Sequence, residues 1–140
     1  MRATGIVRRI DDLGRVVIPK EIRRSMRIKE GDPLEIFTTS DGEVIFKKYN
    51  YANEHDWAKA KVIVKALYPD LQFALYNNWG DKETATNVKF PQTIEFADCD
   101  DREIKNNEGD VIGYIEINNE ILTEDLKKII KVLREFFSEI

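Results

Sequence analysis

Apolar side chains in the first twenty residues recur at the short spacing of β-strands. Residues 4–10 and 15–18 are rich in β-branched side chains and predict two strands, with Ile6 and Ile10 facing inward. Gly14 lies in the turn between them and can supply the positive φ that such turns often need. The pattern predicts a first hairpin.

A short helix and a second hairpin follow. Pro19 suits the first position of a helix, and Ile22 and Met26 then share one helical face over residues 20–28. Residues 34–39 and 44–49 read as strands around a Ser-Asp-Gly turn at residues 40–42. The first fifty residues therefore predict a ββαββ order.

The pattern changes after residue 56. A helical stripe of Trp57, Ala60, Val64 and Leu67 predicts a helix that ends near Tyr68, before Pro69. Strands are predicted over 71–77 and 92–98, with a loop between them, and two more within 102–118 around a turn at 107–110.

A long amphipathic helix is predicted to close the chain. Thr123 is a good N-cap, and acidic residues follow it in the first turn. The predicted apolar stripe comprises Leu126, Ile129, Ile130, Leu133 and Phe137. The last helix of a dimeric protein could also pair with its own copy.

These elements predict an α+β chain of two modules. The first spans residues 1–50, a linker spans 51–56, and an α+β regulatory or oligomerisation module spans 57–140. Fifty residues bury too little surface to be comfortably stable alone. We therefore expect the first module to share its core with a second copy as an obligate homodimer.

Charge divides the chain in the same way. Residues 1–50 carry 11 Lys and Arg against 8 Asp and Glu, whereas residues 51–140 carry 11 against 18. A basic module beside an acidic one suggests two different partners. The acidity of the second module should keep it away from a polyanion that the first module binds.

Composition also bears on location and chemistry. No apolar run reaches the roughly 20 residues of a membrane helix, and residues 1–12 contain no apolar signal region. With a single cysteine, Cys99, these features favour a reducing cytoplasm and no membrane partner. No catalytic set stands out, so we expect no enzyme activity, no cofactor and no metal.

Arginine is concentrated beside the predicted turns and on the short helix. The candidate binding residues are Arg8, Arg9, Arg15, Arg23 and Arg24. A guanidinium group pairs with phosphate and with the edge of guanine, so this pattern predicts contacts to double-stranded DNA. Taken alone, it also fits a solvated basic face paired with Asp11, Asp12 and Glu21.

A family resemblance favours the first interpretation. Residues 3–49 resemble the swapped-hairpin DNA-binding domain of the AbrB/SpoVT transition-state regulators, above all in GIVRRIDDLGRVVIP, EIRR and GDPLEI. The resemblance implies a β-barrel formed by two interleaved chains. It also implies that Arg8, Arg15, Arg23 and Arg24 contact DNA, and Arg9 lies where the family is usually basic.

The second module resembles a shortened GAF-like domain through EGDVIGYIEIN and the long helix after it. Ninety residues are few for such a domain, so a small-molecule effector is an unsupported alternative. A tetramer formed through this module also stays open.

Other side chains with reactive or binding potential suggest weaker roles. His55 is expected to be exposed in the linker, and Cys99 lies among aspartates that disfavour a thiolate. The acidic cluster around Cys99 reads better as a solvated loop than as a cation site. Trp57 should be core, and Trp79 is the better candidate for a pocket or interface.

The sequence thus predicts a cytoplasmic, nucleoid-associated transcriptional regulator that binds promoter DNA as a dimer or higher oligomer. The alternative is an antitoxin that binds its own promoter and a toxin protein. An enzyme or metabolite-binding protein is the least favoured class.

Overall fold

A computed structural model describes residues 3–94 and 100–139 of the chain. It divides into two compact units, Met1–Tyr49 and Asn50–Ile140. Unit 1 contains helix α1 (Lys20–Met26) and strands β1 (Leu34–Thr38) and β2 (Val44–Lys48).

The second hairpin forms as predicted. β1 and β2 pair antiparallel, with Ile36 opposite Phe46. Gly42 adopts a φ of 87° in the connecting turn, a conformation that costs glycine little because it has no Cβ.

The first predicted hairpin does not form strands within one chain. Residues 4–10 and 15–18 are irregular, and Ile6 and Ile10 are 37% and 70% exposed rather than inward-facing. The turn itself closes, because Asp11 N donates to Arg15 O at 3.0 Å and Gly14 N donates to Asp11 O at 3.1 Å. A strand needs a neighbouring strand for its backbone groups, and the described part of this chain provides none here.

Helix α1 forms close to its predicted position. Pro19 is the N-cap rather than the first helical residue, which is Lys20. Arg27 ends the helix in the left-handed region with a φ of 56°, and Ile28 N donates to Arg23 O at 2.8 Å. This bond is typical of a helix C-terminus that turns sharply into the next segment.

Unit 2 is an antiparallel sheet with helices. Its elements are α2 (Glu54–Leu67), β3 (Phe73–Asn77), β4 (Lys82–Ala85), a 3₁₀ turn (Asp100–Arg102), β5 (Glu103–Lys105), β6 (Val111–Ile117) and α3 (Thr123–Ser138). The described strands are ordered β4-β3-β6-β5. Unit 2 is therefore a mixed α and β fold.

The main core of unit 2 lies where the two helices meet the sheet. Trp57 of α2 and Leu133 of α3 are fully buried with Phe73 and Ile115 of the sheet. The rings of Trp57 and Phe137 lie 4.7 Å apart between centroids. The predicted buried role of Trp57 and the predicted stripe on α3 are both confirmed.

A capping box begins α2 earlier than predicted. Asn53 Oδ1 accepts from Asp56 N at 2.9 Å, and Asp56 Oδ2 accepts from Asn53 N at 3.1 Å. Helix thus starts inside the segment predicted as a linker, because these side chains satisfy the first free N–H groups. His55 is consequently helical, and it is exposed as expected.

Three further expectations are wrong in detail. Leu67 is 41% exposed and lies outside the buried stripe of α2. β4 forms in the predicted loop because it pairs with β3, Ala74 lying opposite Ala85. The N-cap of α3 is Leu122 rather than Thr123, without a side-chain hydrogen bond. Of the predicted strand 92–98, residues 95–98 lie outside the described residues, as does Cys99.

Candidate nucleic-acid interface

Unit 1 exposes its apolar side chains. Within residues 3–49 the one buried residue is Pro19. Val7, Leu13, Val17 and Val44 are each more than 60% exposed. A single copy of unit 1 therefore has apolar surface but little core of its own.

Part of this surface forms an apolar groove of about 580 Å³. The irregular segment contributes Ile6 and Val17, and α1 contributes Ile22 and Met26. Phe46 of β2 lies on the same groove. Both segments predicted as the first hairpin thus contribute side chains to it.

The arginines occupy the turn and the helix of unit 1. Arg8 and Arg9 precede the turn at residues 11–14, and Arg15 follows it. Arg24 is exposed on α1, while Arg23 is half-buried, with an Nε that is shielded from solvent and makes no hydrogen bond among the described residues. Secondary structure places these cations in two groups, one beside the turn and one on α1.

Asp11 holds both the turn and the side chain of Arg15. Its Oδ1 accepts from Leu13 N at 2.9 Å and from Arg15 N at 2.8 Å. Its Oδ2 accepts from Arg15 Nε at 2.8 Å. The backbone N–H of Arg15, followed by its guanidinium, lowers the pKa of Asp11 below its ordinary value of 3.8.

Sequence reasoning treated Asp11 only as a turn residue or a counter-ion. Its position at the start of Asp-Asp-Leu-Gly was the available signal, since aspartate caps its own turn two residues on. Among residues 3–94 and 100–139, no ion pair joins Arg8, Arg9, Arg23 or Arg24 to a carboxylate. Of the pairs expected with Asp11, Asp12 and Glu21 in a solvated basic face, the described residues show only Arg15 with Asp11.

Three other features were considered for function: Trp79, metal-binding clusters and membrane-spanning helices. Trp79 is 4% exposed, and its role in a pocket or interface stays a prediction. The described residues hold no cluster of His, Cys, Asp and Glu that could bind a metal ion. In the same part of the chain, every helix is too short or too polar to span a bilayer.

Sequence comparison defines the class of unit 1. Residues 7–53 match the family described as antidote-toxin recognition MazE, bacterial antitoxin. Stage V sporulation protein T of Bacillus subtilis (strain 168) is 68% identical over 72 residues, 51% of this chain and 39% of that protein. Transition state regulatory protein AbrB of the same organism is 57% identical over 49 residues, 35% of this chain and 50% of that protein.

Two solved structures are also similar to part of this chain. The solution structure of the N-domain of the transcription factor AbrB shares 53% identity, with a TM-score of 0.34, over 38% of this chain and 98% of that one. A structure described as the N-terminal DNA recognition domain of the Bacillus subtilis transition-state regulator AbrB shares 54% identity, with a TM-score of 0.30, over 36% of this chain and 92% of that one.

The N-terminal part of this chain is thus a domain of the MazE/AbrB type. Its relatives at high identity are the SpoVT and AbrB proteins of Bacillus subtilis, which confirms the family resemblance noted in the sequence. The chain spans between about two fifths and a half of the length of these two relatives.

Proposed function

We propose that this protein is a DNA-binding transcriptional regulator that works as a dimer. The observation that carries the proposal is the combination, within one small unit, of a basic turn and helix with an apolar groove that a single chain leaves open. The relative named transition state regulatory protein AbrB, 57% identical over 49 residues, supports the same function.

The proposed dimer completes the core of unit 1. Residues 4–10 and 15–18 would pair with the same segments of a second chain, as in the swapped-hairpin barrel implied by the resemblance. The exposed valines and isoleucines of each chain would then pack against the apolar groove of the other chain. Burial of such side chains stabilises by about 1.5–3 kcal/mol each, so folding and assembly become one process.

Dimerisation would also double the cationic surface. Arg8, Arg9, Arg15, Arg23 and Arg24 of both chains would face a DNA duplex with matching two-fold symmetry. Phosphate contacts would supply much of the affinity, and a few guanidinium groups would reach base edges. Bound at a promoter in the cytoplasm, such a dimer would act by occlusion and needs no catalytic group.

Unit 2 would serve assembly or signal response. Its sheet with α2 and α3 is compatible with a reduced GAF-like domain, and we retain that assignment as a proposal. Joining dimers into a tetramer is the simplest role that needs no effector.

Arg15→Ala tests the site assignment. Loss of a cation that contacts base or phosphate should weaken binding of duplex DNA about tenfold, without loss of folding by circular dichroism. The control is Lys89→Ala, which removes an exposed charge from unit 2. Normal DNA affinity of the Arg15→Ala protein would show that the site is assigned wrongly.

A second candidate function is an antitoxin, because the matching family is described as a bacterial antitoxin. Unit 2 would then bind and neutralise a toxin while unit 1 binds the promoter. Folded unit 2 favours the regulator, since antitoxin tails usually order only on binding. Stable co-purification of a toxic partner from the native host would favour the antitoxin.

A further inference from the structure

Positive charge in the acidic half of the chain is gathered on its two helices. α2 and α3 together carry seven of the 11 Lys and Arg of residues 51–140 but five of its 18 Asp and Glu. The basic residues are Lys59, Lys61, Lys65, Lys127, Lys128, Lys131 and Arg134. We call this set the helical basic layer.

Acidic groups lie mainly at the ends of the layer. Glu54, Asp56, Glu124 and Asp125 are in the first turns of the helices, where they complement the helix dipoles. Between them, residues 57–67 and 126–134 contain no Asp or Glu. The central part of both helices therefore presents cations without interleaved anions.

The layer is open to solvent. Six of its cations are exposed and Lys61 is half-buried. No ion pair engages any of the seven within residues 3–94 and 100–139. The buried stripe of α3, Ile129, Leu133 and Phe137, packs into the core, so Lys128 and Lys131 are left on its outer side.

Spacing within the layer brings like charges together on each helix, while on α3 Lys128 and Lys131 also lie four residues from Glu124 and Glu135. Lys61 and Lys65 are four residues apart, as are Lys127 and Lys131. Like charges at this spacing destabilise a helix slightly. A solvated helix commonly interleaves opposite charges, whereas this arrangement suits a polyanionic partner.

We propose that the helical basic layer is a second DNA-binding surface, which contacts the phosphate backbone without reading sequence. The inference rests on the proposed function, since unit 1 would bring DNA to the same molecule and raise its effective concentration at unit 2. It revises the expectation that the acidity of the second module keeps that module away from DNA. The net charge is acidic, but the acidity lies mostly outside the helices.

The test compares two full-length double variants of equal charge change. Lys128→Gln with Lys131→Gln removes two exposed cations from the outer side of α3. Lys89→Gln with Lys105→Gln removes two exposed cations of unit 2 that lie outside the layer. Both are titrated with a random duplex of about 40 base pairs, roughly four helical turns, over a range of salt concentrations.

The layer variant should bind about tenfold more weakly than the control near 0.1 M salt. Its slope of log affinity against log salt should be shallower by up to about 4, since two lysines from each of two chains contribute about 0.9 per phosphate contact. Thermal unfolding should not separate the variants, because all four positions are exposed and the surface ion pair of Lys105 with Glu103 contributes little.

Equal DNA binding by the two variants would overturn the proposal that the helical basic layer binds DNA. If Arg15→Ala with Arg24→Ala abolished binding at the same time, the proposed function would stand without it. No DNA binding by the unmodified protein would instead remove the proposed function. Loss of binding to phosphatidylserine vesicles by the layer variant, with DNA binding unchanged, would assign the surface to lipid and also overturn the proposal.

Discussion

Arg15 and Asp11 are joined twice across the turn of unit 1, since the carboxylate of Asp11 accepts both the backbone N–H and the Nε–H of Arg15 at 2.8 Å. The same carboxylate thus fixes the turn and positions a side chain proposed to contact DNA. Because the pair is largely exposed, its contribution to stability is small, and its importance lies in geometry.

The pKa of Asp11 gives a first prediction. Hydrogen bonds from the backbone and then the side chain of Arg15 lower the pKa below 3.8, so the folded state favours the carboxylate. The resulting stability is present above the unfolded pKa and is lost as pH falls through the folded value. NMR titration of the Asp11 carboxyl carbon should give a midpoint below 3.8. In the Arg15→Ala protein this midpoint should rise but stay below the ordinary value, because the hydrogen bond from the backbone N–H of residue 15 remains. An unchanged midpoint would exclude the side-chain contact.

Val17 tests whether the groove of unit 1 is completed by a second chain. Its side chain is 68% exposed in one copy, so Val17→Asp should hardly change the free energy of unfolding if the protein is a monomer. We instead expect the substitution to abolish dimerisation in sedimentation experiments, because it buries a carboxylate in the shared core. Val62→Asp is the matched control, with 67% exposure on α2, and should leave the dimer intact. Intact dimers of the Val17→Asp protein would contradict the shared core.

Val17 also shows how much of the fold could be predicted from the sequence. The second hairpin, α1 and the buried stripe of α3 could be predicted because local pattern and turn chemistry determine them. The first hairpin could not be judged from one chain, since Val17 and its neighbours are strand-like in composition but lack a pairing partner. β4 was missed because its pairing with β3 is a tertiary contact in a polar segment. The turn before Arg15 and the helix that carries Arg23 and Arg24 could be predicted, whereas the half-buried position of Arg23 and the bonds of Asp11 required coordinates.

Gly113 provides a packing prediction for unit 2. A Cβ at this position would lie 2.3 Å from Trp57 Cη2 and 2.4 Å from the backbone oxygen of Tyr76. The backbone of β3 is held by strands on both sides and cannot move without loss of hydrogen bonds. Gly113→Ala should therefore lower the free energy of unfolding by about 3 kcal/mol. Urea unfolding of the full chain measures this. Ala58→Leu, at an exposed position of α2, should change stability by less than about 0.5 kcal/mol.

The raised pKa of Tyr76 predicts that the folded state loses stability at alkaline pH. Burial, and then the negative charge of Glu116, raises the pKa of Tyr76 to about 12. The folded state therefore favours the neutral phenol, and its stability is retained below pH 10 and lost as pH rises toward 12. Ultraviolet titration should show a phenol that ionises near pH 12 and that is absent from Tyr76→Phe. That variant should also lose about 1 kcal/mol, because Tyr76 Oη donates to Pro91 O at 2.6 Å. A full complement of tyrosines ionising near pH 10 would contradict the buried phenol.

The most direct measurement is the salt dependence of duplex DNA binding by the full-length protein. Arg8, Arg15, Arg23 and Arg24 from two chains, each engaging a phosphate, predict a slope of log affinity against log salt of roughly −7, and contacts from the helical basic layer would steepen it. A slope near zero, or no affinity for any duplex at low ionic strength, would contradict the account.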